Sequence, residues 1–238
     1  MATEQEITLE SIVANRIATY GFLARLYRKE IDQSLLDEMC KMKYPTNTGN
    51  ADVDEGYRLI CTYLCGIWER TLEELAVDFT KVFLGSGMNA YSAAYPFESV
   101  HTSARRLLMQ DARDEVLAVY RAAGLAKSDN WKEGEDHIAL ELEFMQVLCT
   151  RALDALNAGD EDKAVDLFMQ QYNFLQDHLL NWTPMLVGEM EKFAKTDMYR
   201  GLGKLTIGFL KTDREFLEDI LEEELAALQE GSSDDDED

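Results

Sequence analysis

Ile138, Leu142, Met145, Cys149, Ala152 and Leu156 follow one another at steps of four, three, four, three and four. That rhythm matches a helical turn of about 3.6 residues. Leu140, Phe144 and Val147 add a second stripe, so the segment is apolar around much of its girth and predicts a central helix covered by others. The rest of the chain supplies the cover. Val13, Ile17, Tyr20, Ala24 and Tyr27 keep the same spacing. Helices are also read over "SLLDEMCKM", over about Val53 to Phe83 with a break near Gly66, and from Ser99 to about Ala123. Further ones cover Asp160–Asn181, Pro184–Lys195 with Pro184 in a first turn, and Met198–Gln229 with a bend near Thr212. Only 3 prolines and 14 glycines in 238 residues interrupt them. No stretch alternates with period two for the length of a strand, and no fixed-period repeat appears. The expected fold is therefore all-α, a single-domain helical bundle of about 8–11 helices over residues 1–230.

Charge limits the partners. The chain carries 46 acidic against 23 basic residues, a formal net charge of -23. The terminal "GSSDDDED" holds five consecutive acids that repel one another, so residues 231–238 read as a disordered acidic tail. With those five set aside, acids still exceed bases by 18, which disfavours nucleic acid and steers cationic peptides toward the surface. No apolar run reaches the roughly 18–20 residues of a membrane-spanning helix. Cys40, Cys61, Cys65 and Cys149 are unevenly spread, and the N-terminus lacks a basic and apolar leader, so a reducing cytoplasm is the expected location.

Several chemistries find too few residues. A ferritin-like di-iron site needs two Glu-x-x-His elements, and the chain has one, Glu98 to His101, just after Pro96. Cys61 and Cys65 share a helical face without further ligands nearby and read as buried core thiols. Gly85-Ser-Gly87 and Gly201-Leu-Gly203 fit helix ends or close helix packing better than nucleotide loops. His178 reads as structural, beside Trp182, and no local pattern assigns a role to His101.

One cluster remains, "EGEDH" at 133–137, set against the central helix. Acids at a helix start interact favourably with its dipole, so Glu133, Glu135 and Asp136 have a purely structural reading. The cluster also resembles the Glu-Pro-x-Asp-His signature of the TorD/DmsD-type redox enzyme maturation chaperones, with Gly134 in place of the proline. "VFLG" at 82–85, "YPFESVH" at 95–101, "HLLNWTPM" at 178–185 and "YRGLGKLTIGFL" at 199–210 resemble other blocks of that family in the same order.

The resemblance implies a TorD-like, non-catalytic cytoplasmic chaperone. Such a protein binds the twin-arginine signal peptide, and in some members the apo body, of a molybdopterin oxidoreductase and delays export until the cofactor is inserted. No cofactor is required, although some members contact guanine nucleotide or the molybdopterin cofactor weakly. The family includes monomers and segment-swapped dimers. Two other readings stand beside it: a helical-bundle enzyme with a metal or redox cofactor, and a helical interaction scaffold without peptide specificity.

Within the resemblance, the expected signal-peptide site joins acids for guanidinium groups, Glu98, Glu133, Glu135 and Asp136, to an apolar groove. His137, which matches the motif, both caps and binds. Phe83, Leu84, Tyr91, Tyr95, Pro96 and Phe97 are its expected lining. Burying an aliphatic group contributes about 1.5–3 kcal/mol and an exposed ion pair about 0.2–1, so affinity should reside in the groove and orientation in the acids.

Overall fold

The computed structural model describes residues 8–85 and 92–234, with side chains to 223. Among these residues ten α-helical segments form the molecule, and no β-strand occurs. Helix α1, Leu9–Arg28, starts at a capping box in which Thr8 and Ser11 satisfy each other's backbone N–H. Helices α2, Gln33–Met39, and α3, Ala51–Cys65, are capped by Asp32 and Asn50. Helix α4, Thr71–Phe79, runs straight into a π turn, Thr80–Leu84, that Gly85 ends at φ 64°. Short α5, Glu98–Thr102, precedes α6, Asp111–Ala122. Helix α7, Ile138–Ala158, is the central helix that the stripes at 138–156 predict, closed by Gly159 at φ 71°. It packs broadly on α1 and on α8, Glu161–Phe174. A π turn, Leu175–Leu179, then leads into α9, Leu180–Phe193, and α10 runs unbroken from Asp197 to Asp234, lying along α3.

Four expectations change. The helix read from Ser99 to Ala123 is two helices, because Arg106 and Met109 take positive φ in the intervening segment and break the ladder. Pro184 lies inside α9 rather than in a first turn, since the π turn joins α8 to α9 without a stop. The chain copes locally: the Thr183 hydroxyl donates to the Leu179 carbonyl, next to the turn where proline withholds its N–H. Cys61 is half-buried and Cys65 exposed, because α3 turns Val53, Gly56, Ile60 and Leu64 inward and the cysteines fall one position round. Helical backbone also runs through Gly231 to Asp234, the start of the expected tail, while residues 235–238 lie outside the described residues.

Close packing of α3 on α10 explains two glycines. A Cβ on Gly201 would lie 2.8 Å from the Gly56 carbonyl oxygen, and one on Gly56 would lie 2.5 Å from the Leu205 nitrogen. The backbones touch there. Elsewhere the core is filled by Trp182, Tyr20, Tyr27, Tyr199 and Phe83, all essentially without solvent contact. Each phenol finds a partner: Tyr20 donates to Asp213, Tyr27 pairs with Thr206 and Tyr199 donates to the Leu75 carbonyl.

A buried fork between α1 and α10 joins Arg16 to Asp213, with Nε to Oδ1 at 2.5 Å and an Nη to Oδ2 at 2.9 Å, both residues under 5% exposed. Removing one partner strands the other charge. Asp213→Ala should therefore lower the unfolding free energy by about 3–5 kcal/mol in denaturant titration, whereas exposed Glu73→Ala should leave it nearly unchanged.

Candidate functional site

Two loop segments meet at the head of α7. Glu98 N–H donates to the Asp136 carbonyl at 2.9 Å and Ile138 N–H donates to the Pro96 carbonyl at 3.0 Å, an antiparallel bridge between Phe97 and His137. The motif side chains complete the clasp. Asp136 Oδ2 accepts from the Ser99 N–H at 2.9 Å and so caps α5 from across the bridge. His137 is the N-cap of α7, its Nδ1 accepting from Ala139 N–H at 3.0 Å. Its ring stands edge-on to Phe97 and Trp131, at 4.9 and 5.1 Å between centroids. Burial, aided by the nearby Arg28 charge, pulls its pKa down to about 3, so the imidazole is neutral and free to accept.

Beneath the clasp lies a carboxylate cluster. Glu98 is 2% exposed, and its Oε2 sits 3.1 Å from His178 Nδ1, which the π turn at 175–179 directs inward. Glu141 on α7 has no solvent contact and accepts from Trp182 Nε1 at 3.0 Å. Among the described residues, Asp136 Oδ1 and Glu141 Oε1 have no hydrogen-bond donor. A Cβ on Gly134 would lie 2.7 Å from that Asp136 oxygen, so the glycine leaves room for the inward carboxylate. On the outer side Glu135 takes Arg113 Nε at 2.6 Å and Lys127 Nζ at 3.2 Å. Burial raises the Glu135 carboxyl, but those two cations outweigh it and hold it below its usual range.

The expected site residues thus divide. Glu98, Glu135 and Asp136 are buried and already bonded, so they do not present the exposed acids read from the sequence; the reason is that each satisfies a donor inside the clasp or its wall. Glu133 is exposed. Phe83 belongs to the core, edge-on to Phe79 at 5.0 Å and to Tyr199 at 5.7 Å, rather than to a groove wall. Phe97 and Pro96 are buried in the clasp, Tyr95 is half-buried with φ 45°, and Leu84 is 56% exposed. Tyr91 lies outside the described residues. His178 meets Phe174 at 4.8 Å instead of Trp182, and the indole stacks on His101 at 5.4 Å. His101 Nε2 lies 2.8 Å from the Ala94 carbonyl and 3.0 Å from that of Tyr95, which ties the loop to α9.

Glu141 escaped the sequence reading although its phase was legible: it follows Ile138 by three and precedes Met145 by four, on the inward stripe. Also missed were two depressions beside the clasp that share Arg28. One, of about 240 Å³, lies between the connector and α7 and is lined by Tyr120, Leu125, Trp131, Leu140 and Phe144. The other, of about 670 Å³, has Ile31, Leu72, Ala76, Phe79 and Leu84 as its apolar side and Glu30, Asp32 and Glu73 at its rim. Arg28 itself stacks over Trp131 at 5.2 Å and pairs with Glu143 at 2.7 Å. Among the described residues no group of three or more His, Cys, Asp and Glu side chains is arranged to hold a metal ion.

An all-helical bundle with this clasp has relatives. The family model described as nitrate reductase delta subunit matches residues 48–188, and the chain belongs to that family, which includes TorD. The chaperone protein TorD of Vibrio parahaemolyticus is 24% identical over 209 residues, covering 85% of this chain and 94% of its own length. That of Psychrobacter is 25% identical over 218 residues, 88% of this chain and 94% of its own. That of Photobacterium profundum is 31% identical over 144 residues, 60% of this chain and 64% of its own. The resemblance read from the motifs is therefore a family relation.

The clasp should reveal itself through pH. The usual histidine value of 6.5 against about 3 when folded means that the unfolded chain takes up a proton that folded His137 refuses. Its contribution is complete above pH 6.5 and is lost as pH falls toward 3, with a slope up to about 1.4 kcal/mol per pH unit. His137→Asn, which still caps but does not titrate, should flatten that acid limb in denaturation curves between pH 7 and 4.

Proposed function

We propose that the chain is a cytoplasmic chaperone that binds the twin-arginine signal peptide of a molybdopterin oxidoreductase before export, without covalent chemistry. The observation that carries this reading is the groove beside the clasp, an apolar face whose rim holds Glu30, Asp32 and Glu73 together with Arg28 and Lys29, in a chain of net charge -23. A signal peptide of this class offers two guanidinium groups followed by an apolar segment. The apolar segment fits over Leu84, Phe79, Ala76 and Leu72, where each buried aliphatic contact contributes about 1.5–3 kcal/mol. The guanidinium groups fit the carboxylate of Glu30 and, in exchange for its exposed pair with Arg70, that of Glu73; both acids are exposed and therefore orient more than they bind.

Clasp and groove have separate tasks in this reading. Ala94 N–H donates to the Val82 carbonyl, so the π turn that ends in Leu84 is anchored to the segment leading into the clasp. Asp136, His137, Glu98 and Phe97 then set the groove's wall without touching the peptide. Glu133, exposed at the connector, and the Trp131 depression extend the same face. Members of the chaperone family to which this chain belongs are named for chaperone activity and not for catalysis, which supports the non-enzymatic reading.

Fluorescence anisotropy with a labelled twin-arginine peptide tests the assignment. Leu84→Asp should weaken binding about tenfold or more, and a peptide with both arginines replaced by glutamine should bind several-fold more weakly at low salt. Undiminished binding in both experiments would overturn the groove assignment and favour a scaffold without peptide specificity.

A further inference from the structure

A peptide with two guanidinium groups followed by apolar residues has a counterpart on the protein's own surface. Arg105 and Arg106 are the only adjacent arginines in the chain, and Leu107, Leu108 and Met109 follow them at once. Those three are 46%, 49% and 58% exposed, and among the described residues no other run of three large apolar side chains lies this open to solvent. Single exposed apolar residues are ordinary, whereas a contiguous group marks a contact surface. We propose that this segment, between α5 and α6, docks in the groove of a second copy of the chain and there takes the place of the signal peptide. The inference rests on the groove reading above.

The turn presents these side chains in a fixed shape. Arg106 N–H donates to the Ser103 carbonyl at 3.1 Å, Leu107 N–H to Ser103 Oγ at 3.1 Å, and the Gln110 amide to the Leu108 carbonyl at 2.9 Å. Arg106 and Met109 hold φ at 51° and 58°, a region that residues with a side chain enter at a cost, and the helix ladder stops there. Arg106 stays with its own copy, half-buried and with an Nη 3.9 Å from Glu189 on α9. Arg105 is exposed beside the three apolar residues. A preformed turn loses little conformational freedom when it docks.

The groove offers the matching surface. Its apolar side includes Phe79 and Leu84, and Leu84 is 56% exposed, so docking covers apolar area that each copy alone leaves in water. Among the rim charges, Asp32 pairs with Arg25 and Lys29, Glu73 with Arg70, and Arg28 with Glu143. Glu30 is the remaining rim acid, and it meets the one outward guanidinium, Arg105. The net charge of -23 on each copy opposes close approach, so the contact is weak and reversible. A weak internal competitor of this kind covers the groove until a client peptide displaces it.

Sedimentation velocity of the full chain over a range of concentrations at physiological ionic strength tests the docking. The wild type should sediment faster as concentration rises. Leu108→Asp alters the docking segment and Leu84→Asp the groove, and each alone should weaken self-association about tenfold or more. Mixing the two variants pairs an intact groove with an intact segment, so a one-to-one complex should return. A wild type that stays monomeric throughout, or a mixture that does not associate, overturns the proposal. Both substitutions fall on exposed side chains, and far-UV circular dichroism checks that the helices are retained. A second measurement uses competition: the Leu84→Asp chain should displace a labelled twin-arginine peptide from the Leu108→Asp chain, and the doubly substituted chain should not. Restored association without displacement supports the docking and counts against the peptide's use of the groove. Peptide binding that Leu84→Asp abolishes, without restored association in the mixture, overturns the docking and leaves the groove reading standing.

Discussion

The backbone bridge between Phe97 and His137 is the constraint that holds α5 and the connector to the head of α7. Two chain segments nearly forty positions apart are joined there by two N–H donations, and each of the adjoining motif residues satisfies a further backbone donor. Asp136 caps α5, His137 caps α7, and Glu98 meets the π turn before α9. A buried backbone donor left unpaired costs about 1–3 kcal/mol, so each of these side chains is fixed by the fold before any ligand is considered. The motif is thus a clasp, and the Ala94 N–H donation to the Val82 carbonyl ties the π turn that carries Leu84 to the segment leading into it.

Charge is distributed in keeping with that division. A protein this acidic gains little by burying carboxylates, yet three lie together under the bridge, met by the Ser99 N–H, the His178 ring and the Trp182 indole rather than by a salt bridge to arginine or lysine. The available cations are used elsewhere. Arg113 and Lys127 close the outer wall at Glu135, Arg28 spans the two depressions, and Arg16 binds Asp213 in the distant core. Exposed Glu30 and Glu73, the latter paired with Arg70, lie on the face with the apolar floor, whose rim also holds Lys29.

Much of this was legible in the sequence. The stripes from Ile138 to Leu156 identified the central helix and the scarcity of proline and glycine identified the all-α class, because both follow from local periodicity. The motif "EGEDH" marked the right place and the family relation. Its orientation was hidden, since whether Asp136 faces water or Ser99 depends on the pairing of Pro96 with Ile138, a contact with no local signal. Pro184 misled for a similar reason: a proline normally marks a boundary, yet here the helix runs on through it, behind a π turn and beside a Thr183 hydroxyl that donates to the Leu179 carbonyl. Phe83 had the composition of a groove residue but the phase of a core residue, packed between Tyr27 and Tyr199.

Amide hydrogen exchange, followed residue by residue in solution, measures the clasp itself. The Glu98, Ser99 and Ile138 amides should exchange as slowly as amides inside α7, because all three donate within the bridge and its cap. Exchange of these three at the rate of exposed loop amides would show that the segments are not held together, and the structural role given to the motif would be wrong.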